Sequence, residues 1–165
     1  MPHLIIVEGS VDKAIVQKIA RKLGVKVKTL LMRGNDPDKA IRLINAKLST
    51  EDYSKVIVLK DQHQDPEDKV RECLNNIVSS VQYPRTYPII VKKAIEAWIL
   101  ASMGITNSEN IDDPATYLDQ IMKRKGKRYI KSPENVGELV ENMNLQQAMK
   151  YSHTLRQFIE VLKDP

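Results

Sequence analysis

Acidic side chains follow two aliphatic runs of this sequence, at the points where buried strands would end. Glu8 comes directly after Leu4–Val7, and Asp61 and His63 come just after Val56–Leu59. Because ligands bind beyond the carboxyl ends of the strands in an open parallel sheet, we expect these three side chains to converge at one sheet edge. Carboxylate oxygens suit Mg²⁺ or Mn²⁺, which also recruit water and substrate phosphates. The pattern therefore predicts a divalent metal site.

Two residues near this predicted edge have more than one possible role. Asp12 would either bind a metal or complement the dipole of the helix that it enters. His63 would be a neutral metal ligand, a general base or a loop histidine. Gly9 provides a turn and, without a Cβ, also permits close approach of a phosphate. We keep Asp12 and His63 as candidate site residues.

Two further acids lie at helix starts or inside an apolar helix. Asp65 precedes a proline in the same pattern as Asp36-Pro37 and Asp113-Pro114, which favours a helix N-cap and leaves a ligand role open. Glu96 stands in an otherwise apolar stretch beside Trp98, where a buried carboxylate needs a partner. Asp65 and Glu96 therefore join the candidate metal ligands.

Basic residues concentrate between Asp119 and Glu134, a stretch without an acid. The candidates there for contact with nucleic acid are Lys123, Arg124, Lys125, Lys127, Arg128 and Lys131. Tyr129 in the same stretch offers a ring on which a base could stack. The alternative is a solvated loop.

Three other cations are candidates for phosphate contacts. Lys92 and Lys93 follow the fourth aliphatic run, and Arg156 lies near the end of the chain. Arg156 would either face a phosphate or cover its own helix. The formal net charge of +5 favours polyanionic partners without proving one.

The elements that must position these residues alternate along the first hundred residues. Strands are predicted over Leu4–Val7, Val25–Leu31, Val56–Leu59 and Pro88–Val91, and Gly34 marks a turn. Helices are predicted over Asp12–Leu23, from Asp36 to Leu48, after Asp65 and over Ala94–Met103. This alternation predicts an α/β fold with a mostly parallel four-stranded sheet flanked by helices.

The rest of the chain shows short helical patterns instead of aliphatic runs. They cover Pro114–Met122, Asn135–Asn142, Leu145–Tyr151 and Thr154–Leu162. We therefore predict an α/β core over residues 1–103 and a small helical extension over 104–165 that packs on it.

Composition excludes several classes of protein. The 165 residues are 42% hydrophobic and 28% charged, which is typical of one globular domain. No apolar run approaches the roughly 20 residues of a membrane span, so we expect no membrane contact, and the N-terminus has no basic region typical of a secretory signal. The single cysteine, Cys73, excludes an internal disulfide and a cysteine-rich zinc site, and it favours the cytoplasm. The absence of phosphate-loop and dinucleotide-binding motifs argues against an ATPase and a dehydrogenase.

Four segments together resemble a known family. Leu4–Lys13, an aliphatic strand followed by Glu, Gly and Asp, resembles the opening of TOPRIM domains, and Val56–His63 lies where that family has its D-x-D motif. Ile95–Ala101 is similar to the E-A-W-L-L-A segment of small stand-alone TOPRIM-like proteins related to OLD-family nucleases. Ser152–Phe158 is similar to the segment that ends those proteins.

The resemblance implies a TOPRIM/Rossmann-like core and specific roles for its acids. Glu8 would be a metal ligand or general acid/base, Asp61 a metal ligand, and Asp12 and Glu96 would complete a second metal site. His63 replaces the second aspartate of D-x-D, which would shift metal preference towards Mn²⁺ or a softer ion. With Asp65, these acids form the predicted metal set, and Glu8, Asp61 and His63 form the predicted catalytic set.

The predicted function is metal-dependent phosphodiester hydrolysis of DNA or RNA. The alternative is a non-catalytic module with a degenerate acidic site, which would bind nucleic acid or a protein such as an ATPase. Phosphotransfer on a small nucleotide is a third possibility.

Overall fold

Four parallel strands form the sheet in the computed structural model, which describes residues 1–32, 36–81 and 84–164. The strands are β1 (His3–Val7), β2 (Val27–Leu31), β3 (Val56–Asp61) and β4 (Thr86–Val91), in the order β2-β1-β3-β4. β1 and β3 are neighbours in the middle of the sheet, so their carboxyl ends lie side by side. The predicted α/β class and parallel four-stranded sheet are confirmed.

Helices follow each strand and continue to the end of the chain. They are α1 (Ser10–Lys22), α2 (Pro37–Leu48), α3 (Glu67–Ser79), α4 (Glu96–Ser102), α5 (Pro114–Arg124), α6 (Pro133–Glu141), α7 (Leu145–Tyr151) and α8 (His153–Lys163). The predicted C-terminal helices are therefore present. In the described residues, no helix combines the length and apolar character needed to cross a bilayer.

Each central strand is buried on both faces, which explains its continuous aliphatic run. In β1, Leu4 and Ile6 pack in the apolar cluster beneath α2 and α3. Ile5 and Val7 point to the opposite face, into a cluster shared with α1 and the C-terminal helices. Residues beyond 103 thus complete the hydrophobic core on one side of the sheet.

Tertiary contacts explain why some strands begin or end at residues other than those predicted. β3 runs to Asp61, because Lys60 and Asp61 pair with Ile90 and Val91 of β4. β2 begins only at Val27, since the Val25 N–H donates to Ala20 O and closes the end of α1. The turn predicted at Gly34 lies outside the described residues.

The aspartate caps predicted from Asp-Pro pairs are confirmed in two cases and wrong in one. Asp113 caps α5 through its side chain. Asp36 caps α2 by accepting the Asp38 N–H at 3.0 Å. α3 instead begins at Glu67, with Pro66 in the cap position and no side-chain cap. Asp65 belongs to the preceding turn, where its N–H donates to Gln62 O.

The last helix, α8, is fixed by one aromatic pair and one carboxylate. Phe158 stacks on Trp98 of α4 with ring centroids 5.4 Å apart, and the Trp98 indole N–H donates to Thr154 Oγ1. Glu109 accepts the backbone N–H groups of His153 and Thr154 and so caps the first turn of α8. The Ser152–Phe158 segment therefore has a structural role in holding α4.

Replacing Phe158 with alanine tests this packing. We expect Phe158→Ala to lower the free energy of unfolding by about 3–5 kcal/mol, because it removes a fully buried ring and leaves a cavity. Urea denaturation followed by circular dichroism measures the change, and Tyr117→Ala on the exposed side of α5 is the control. A loss below about 1 kcal/mol would contradict the packing of α8 on α4.

Candidate functional site

Glu8 and Asp61 meet at the carboxyl ends of β1 and β3. Glu8 Oε1 accepts the backbone N–H of Asp61 at 2.9 Å, so the glutamate lies across the end of the neighbouring strand. The Lys60 ammonium lies 3.7 Å from the same oxygen. The Asp61 carboxylate is 8% exposed, and the backbone of Ile95, just before α4, lowers its pKa against the larger effect of burial. Parallel pairing has brought together two acids that are far apart in sequence.

His63 faces both carboxylates from the rim of the pocket. Its Nε2 lies 3.8 Å from Glu8 Oε2 and 4.0 Å from Asp61 Oδ2, beyond hydrogen-bonding distance. The ring is 52% exposed. His63 has φ 52° and donates its backbone N–H to the carbonyl of Lys93, which has φ 63°. Such left-handed non-glycine conformations concentrate at functional sites, where surrounding contacts hold them.

Asp12 joins this acidic group from the first turn of α1. Its Oδ2 accepts the Gly9 N–H at 3.3 Å, which holds the side chain at the mouth of the β1–α1 turn. Burial raises the pKa of Asp12 to about 6, and the charges of Glu8 and Glu96 act in the same direction. Burial, then the charges of Asp12, Glu8 and Glu96, also raises the pKa of Asp61. The four carboxylates therefore form one electrostatic cluster.

Glu96 is the most deeply placed member, with a fully buried side chain at the start of α4. Its Oε2 accepts the Tyr129 hydroxyl at 2.8 Å and lies 3.5 Å from Lys131 Nζ. Burial, followed by the charge and hydrogen bond of Glu96, raises the pKa of Tyr129. Glu96 Oε1 is buried and has no hydrogen-bond partner among the described residues. A buried, unsatisfied carboxylate oxygen is costly unless a cation or donor reaches it.

These side chains surround an open pocket of about 350 Å³. It is lined by Glu8, Gly9, Ser10, Val11, Asp12, Asp61, His63 and Lys131. Hard oxygen donors, raised carboxyl pKa values and the unsatisfied Glu96 oxygen fit a divalent cation of the Mg²⁺ or Mn²⁺ type. In the arrangement observed for the described residues, however, no three acidic, histidine or cysteine side chains stand ready as a metal cluster. A cation would therefore have to replace contacts that Lys60 and Lys131 now make.

Asp65, the fifth predicted ligand, lies apart from this group. It is exposed, and the residues that line the pocket do not include it. The turn that follows His63 carries it to the surface before α3. The structure therefore brings together Glu8, Asp12, Asp61 and His63, with Glu96 behind them, but not Asp65.

The predicted basic block divides into three parts. Lys123 and Arg128 both pair with Asp119, at 3.4 and 3.2 Å. Lys131 enters the acidic pocket. The remaining members, which are also exposed, lie at the end of α5 and in the following loop: Arg124, Lys125 and Lys127.

The other predicted phosphate contacts lie around β4 and α8. Lys93 pairs with Asp112 at 3.1 Å. Lys92 is exposed and lines a separate groove with Arg71 and His153. Arg156 is exposed on α8, with its guanidinium 3.2 Å from the His153 ring.

Two functional contacts were not predicted. The first involves Lys60, which is buried in β3 and pairs with Glu8; its position directly after an aliphatic run is the only signal for it in the sequence. The second is the hydrogen bond from the Tyr129 hydroxyl to Glu96, since the sequence pointed only to the Tyr129 ring as a surface on which a base could stack. Because Tyr129 and Glu96 are 33 positions apart, no local sequence pattern predicts that contact.

Comparison with known proteins adds no relative. No family model matches the chain, and neither a curated protein nor a solved structure matches it. The function is therefore argued from the geometry of this pocket.

The raised pKa of Asp12 makes metal-free stability depend on pH. Because the folded-state pKa of about 6 exceeds the usual 3.8, stability from this group is full below about pH 4 and is lost as pH rises through 6. We compare the free energy of unfolding of Asp12→Asn with that of wild type in EDTA. The difference should shift in favour of Asp12→Asn by on the order of 2 kcal/mol between pH 4 and pH 7.5. Urea denaturation at both pH values measures this.

The control for that experiment is Asp52→Asn, which changes the same charge on an exposed loop. Its difference in free energy of unfolding from wild type should be the same at both pH values. A difference between Asp12→Asn and wild type that is the same at pH 4 and pH 7.5 would contradict the electrostatic cluster.

Proposed function

We propose that this protein is a metal-dependent nuclease of the TOPRIM type that hydrolyses phosphodiester bonds in DNA or RNA. The observation that carries the proposal is the meeting of four carboxylates, from β1, α1, β3 and α4, at one edge of a parallel sheet. Clustered carboxylates with raised pKa values point to a functional site, and a bound cation would relieve their repulsion. The TOPRIM-like motifs fall on the same residues.

The cation would be held by Glu8, Asp12, Asp61 and Glu96. When bound, a divalent cation supplies charge for activating water and for stabilising the leaving oxygen. Glu8 lies closest to Lys60 and His63 and is placed to act as general acid/base. His63 Nε2, at the solvent side of Glu8 and Asp61, is placed to accept or return a proton.

The polymer would approach across the exposed cations near the pocket. Arg124 ends α5, Lys125 and Lys127 lie on the loop that leads to Lys131, and Lys92 follows β4. Each contact with a phosphate releases counter-ions, so binding should weaken steeply with salt. We place the protein in the cytoplasm, where the single cysteine, Cys73, would stay reduced.

One observation favours the alternative of a non-catalytic binding module. Lys60 and Lys131 already pair with Glu8 and Glu96, so the acids have counter-ions without a metal. His63 further lowers the negative charge of the site. Such a module would bind nucleic acid, or a protein such as an ATPase, through the same basic surface.

A cleavage assay distinguishes the two functions. Single- and double-stranded DNA and RNA are incubated with the protein in Mn²⁺, Mg²⁺ or EDTA. We expect cleavage only with a divalent cation, and we expect Glu8→Gln and Asp61→Asn to reduce the rate at least about 100-fold, since each removes a charged ligand.

The matched controls are Glu72→Gln and Asp52→Asn, exposed acids outside the pocket, which should retain wild-type rates. Nucleic acid that is shifted on a gel but left uncut in every metal would support the binding module. Cleavage that persists in EDTA or in Glu8→Gln would contradict the proposed site.

Metal binding should also be visible in stability. At pH 7.5, Mn²⁺ at about 100 times its Kd should raise the free energy of unfolding by about 2.7 kcal/mol, because only the folded pocket binds it. Glu8→Gln should lose this increment and Glu72→Gln should keep it. An equal Mn²⁺ effect on all three proteins would show that the ion binds elsewhere.

A further inference from the structure

A lysine from the α5–α6 loop is inserted among the pocket acids. Lys131 Nζ lies 3.5 Å from Glu96 Oε2, and the side chain lines the pocket together with Glu8, Asp12 and Asp61. Its charge lowers the pKa of Asp12, against the effects of burial and of the other carboxylates. One ammonium group therefore neutralises more than one acid.

The pair formed by Lys131 and Glu96 is asymmetric. Glu96 is fully buried, and Tyr129 holds its Oε2, whereas the Lys131 side chain is 54% exposed. A lysine of this exposure can swing its ammonium into water while its stem stays in place. Glu96 has no such freedom. Any competitor for the Glu96 carboxylate would therefore displace Lys131 rather than the glutamate.

We propose that Lys131 is the counter-ion of the metal-free pocket and that a divalent cation displaces it from Glu96. The proposal rests on the proposed function, because it assumes that the acids bind a metal. A cation among these carboxylates would repel a second positive charge a few ångströms away. The released ammonium remains at the mouth of the pocket, where a phosphate would lie. Binding of the metal thus increases the positive charge that Lys131 presents to the substrate.

Calorimetric titration with Mn²⁺ alone tests the displacement. Lys131→Met keeps the length of the stem and removes the charge, so we expect it to bind Mn²⁺ about 5- to 10-fold more tightly than wild type. Lys127→Met makes the same charge change on an exposed residue of the same loop and should match wild type. Equal affinity of the two variants, or weaker binding by Lys131→Met, overturns the proposal.

A second measurement uses the wild-type protein and so does not depend on the folding of a variant. Lysines are acetylated briefly with and without Mn²⁺ and quantified by mass spectrometry. Labelling of Lys131 should rise several-fold with Mn²⁺ relative to Lys127. Unchanged or reduced labelling of Lys131 overturns the proposal.

The outcomes also separate this inference from the proposed function. If wild type binds Mn²⁺ through Glu8 but Lys131→Met binds no more tightly, only the role of Lys131 fails. If Lys131→Met alone binds Mn²⁺, Lys131 blocks the ion and is not displaced by it, and the proposal is overturned. If neither protein binds Mn²⁺, both proposals fail. Tighter binding by Lys131→Met without any cleavage by wild type supports the displacement and contradicts the nuclease.

Discussion

Four carboxylates gathered at one edge of the sheet impose the main electrostatic constraint on this structure. Charges of one sign in a poorly hydrated site must be protonated, paired with cations or bound to a metal. In this pocket, burial and neighbouring charges raise the pKa values of Asp12 and Asp61, and Lys60 and Lys131 supply positive charge. Binding of a cation at the site therefore depends on how readily the acids lose their protons and the two lysines move away.

The same constraint makes the C-terminal helices part of the site. Glu96 begins α4, whose Trp98 is held by α8, and the Tyr129 and Lys131 contacts come from the loop between α5 and α6. The apolar cluster that packs these helices on the sheet is continuous with the core of β1. The chemistry of the pocket thus depends on residues from both parts of the predicted division at residue 103.

The sequence was sufficient for the fold and for the meeting of the acids at the ends of β1 and β3. Aliphatic runs alternating with helical patterns specify a parallel sheet, and the strand ends then place Glu8 and Asp61 together. Local patterns could not supply what depends on distant pairing: the extension of β3 by β4, the turn that carries Asp65 to the surface, and the insertion of Lys131. The last of these depends on a loop conformation, for which neither periodicity nor turn chemistry provides a signal.

His63 and Lys131 both make the pocket less negatively charged. An imidazole in place of an acid, and an ammonium beside Glu96, both reduce the repulsion that would otherwise demand a metal. A site compensated in this way can stay folded without a cation, and it should bind one more weakly than an uncompensated cluster of acids would. For a nuclease, activity would then follow the concentration of divalent metal. For a binding module, the same compensation would make function independent of metal. The balance between internal and external cations thus separates the two proposed functions.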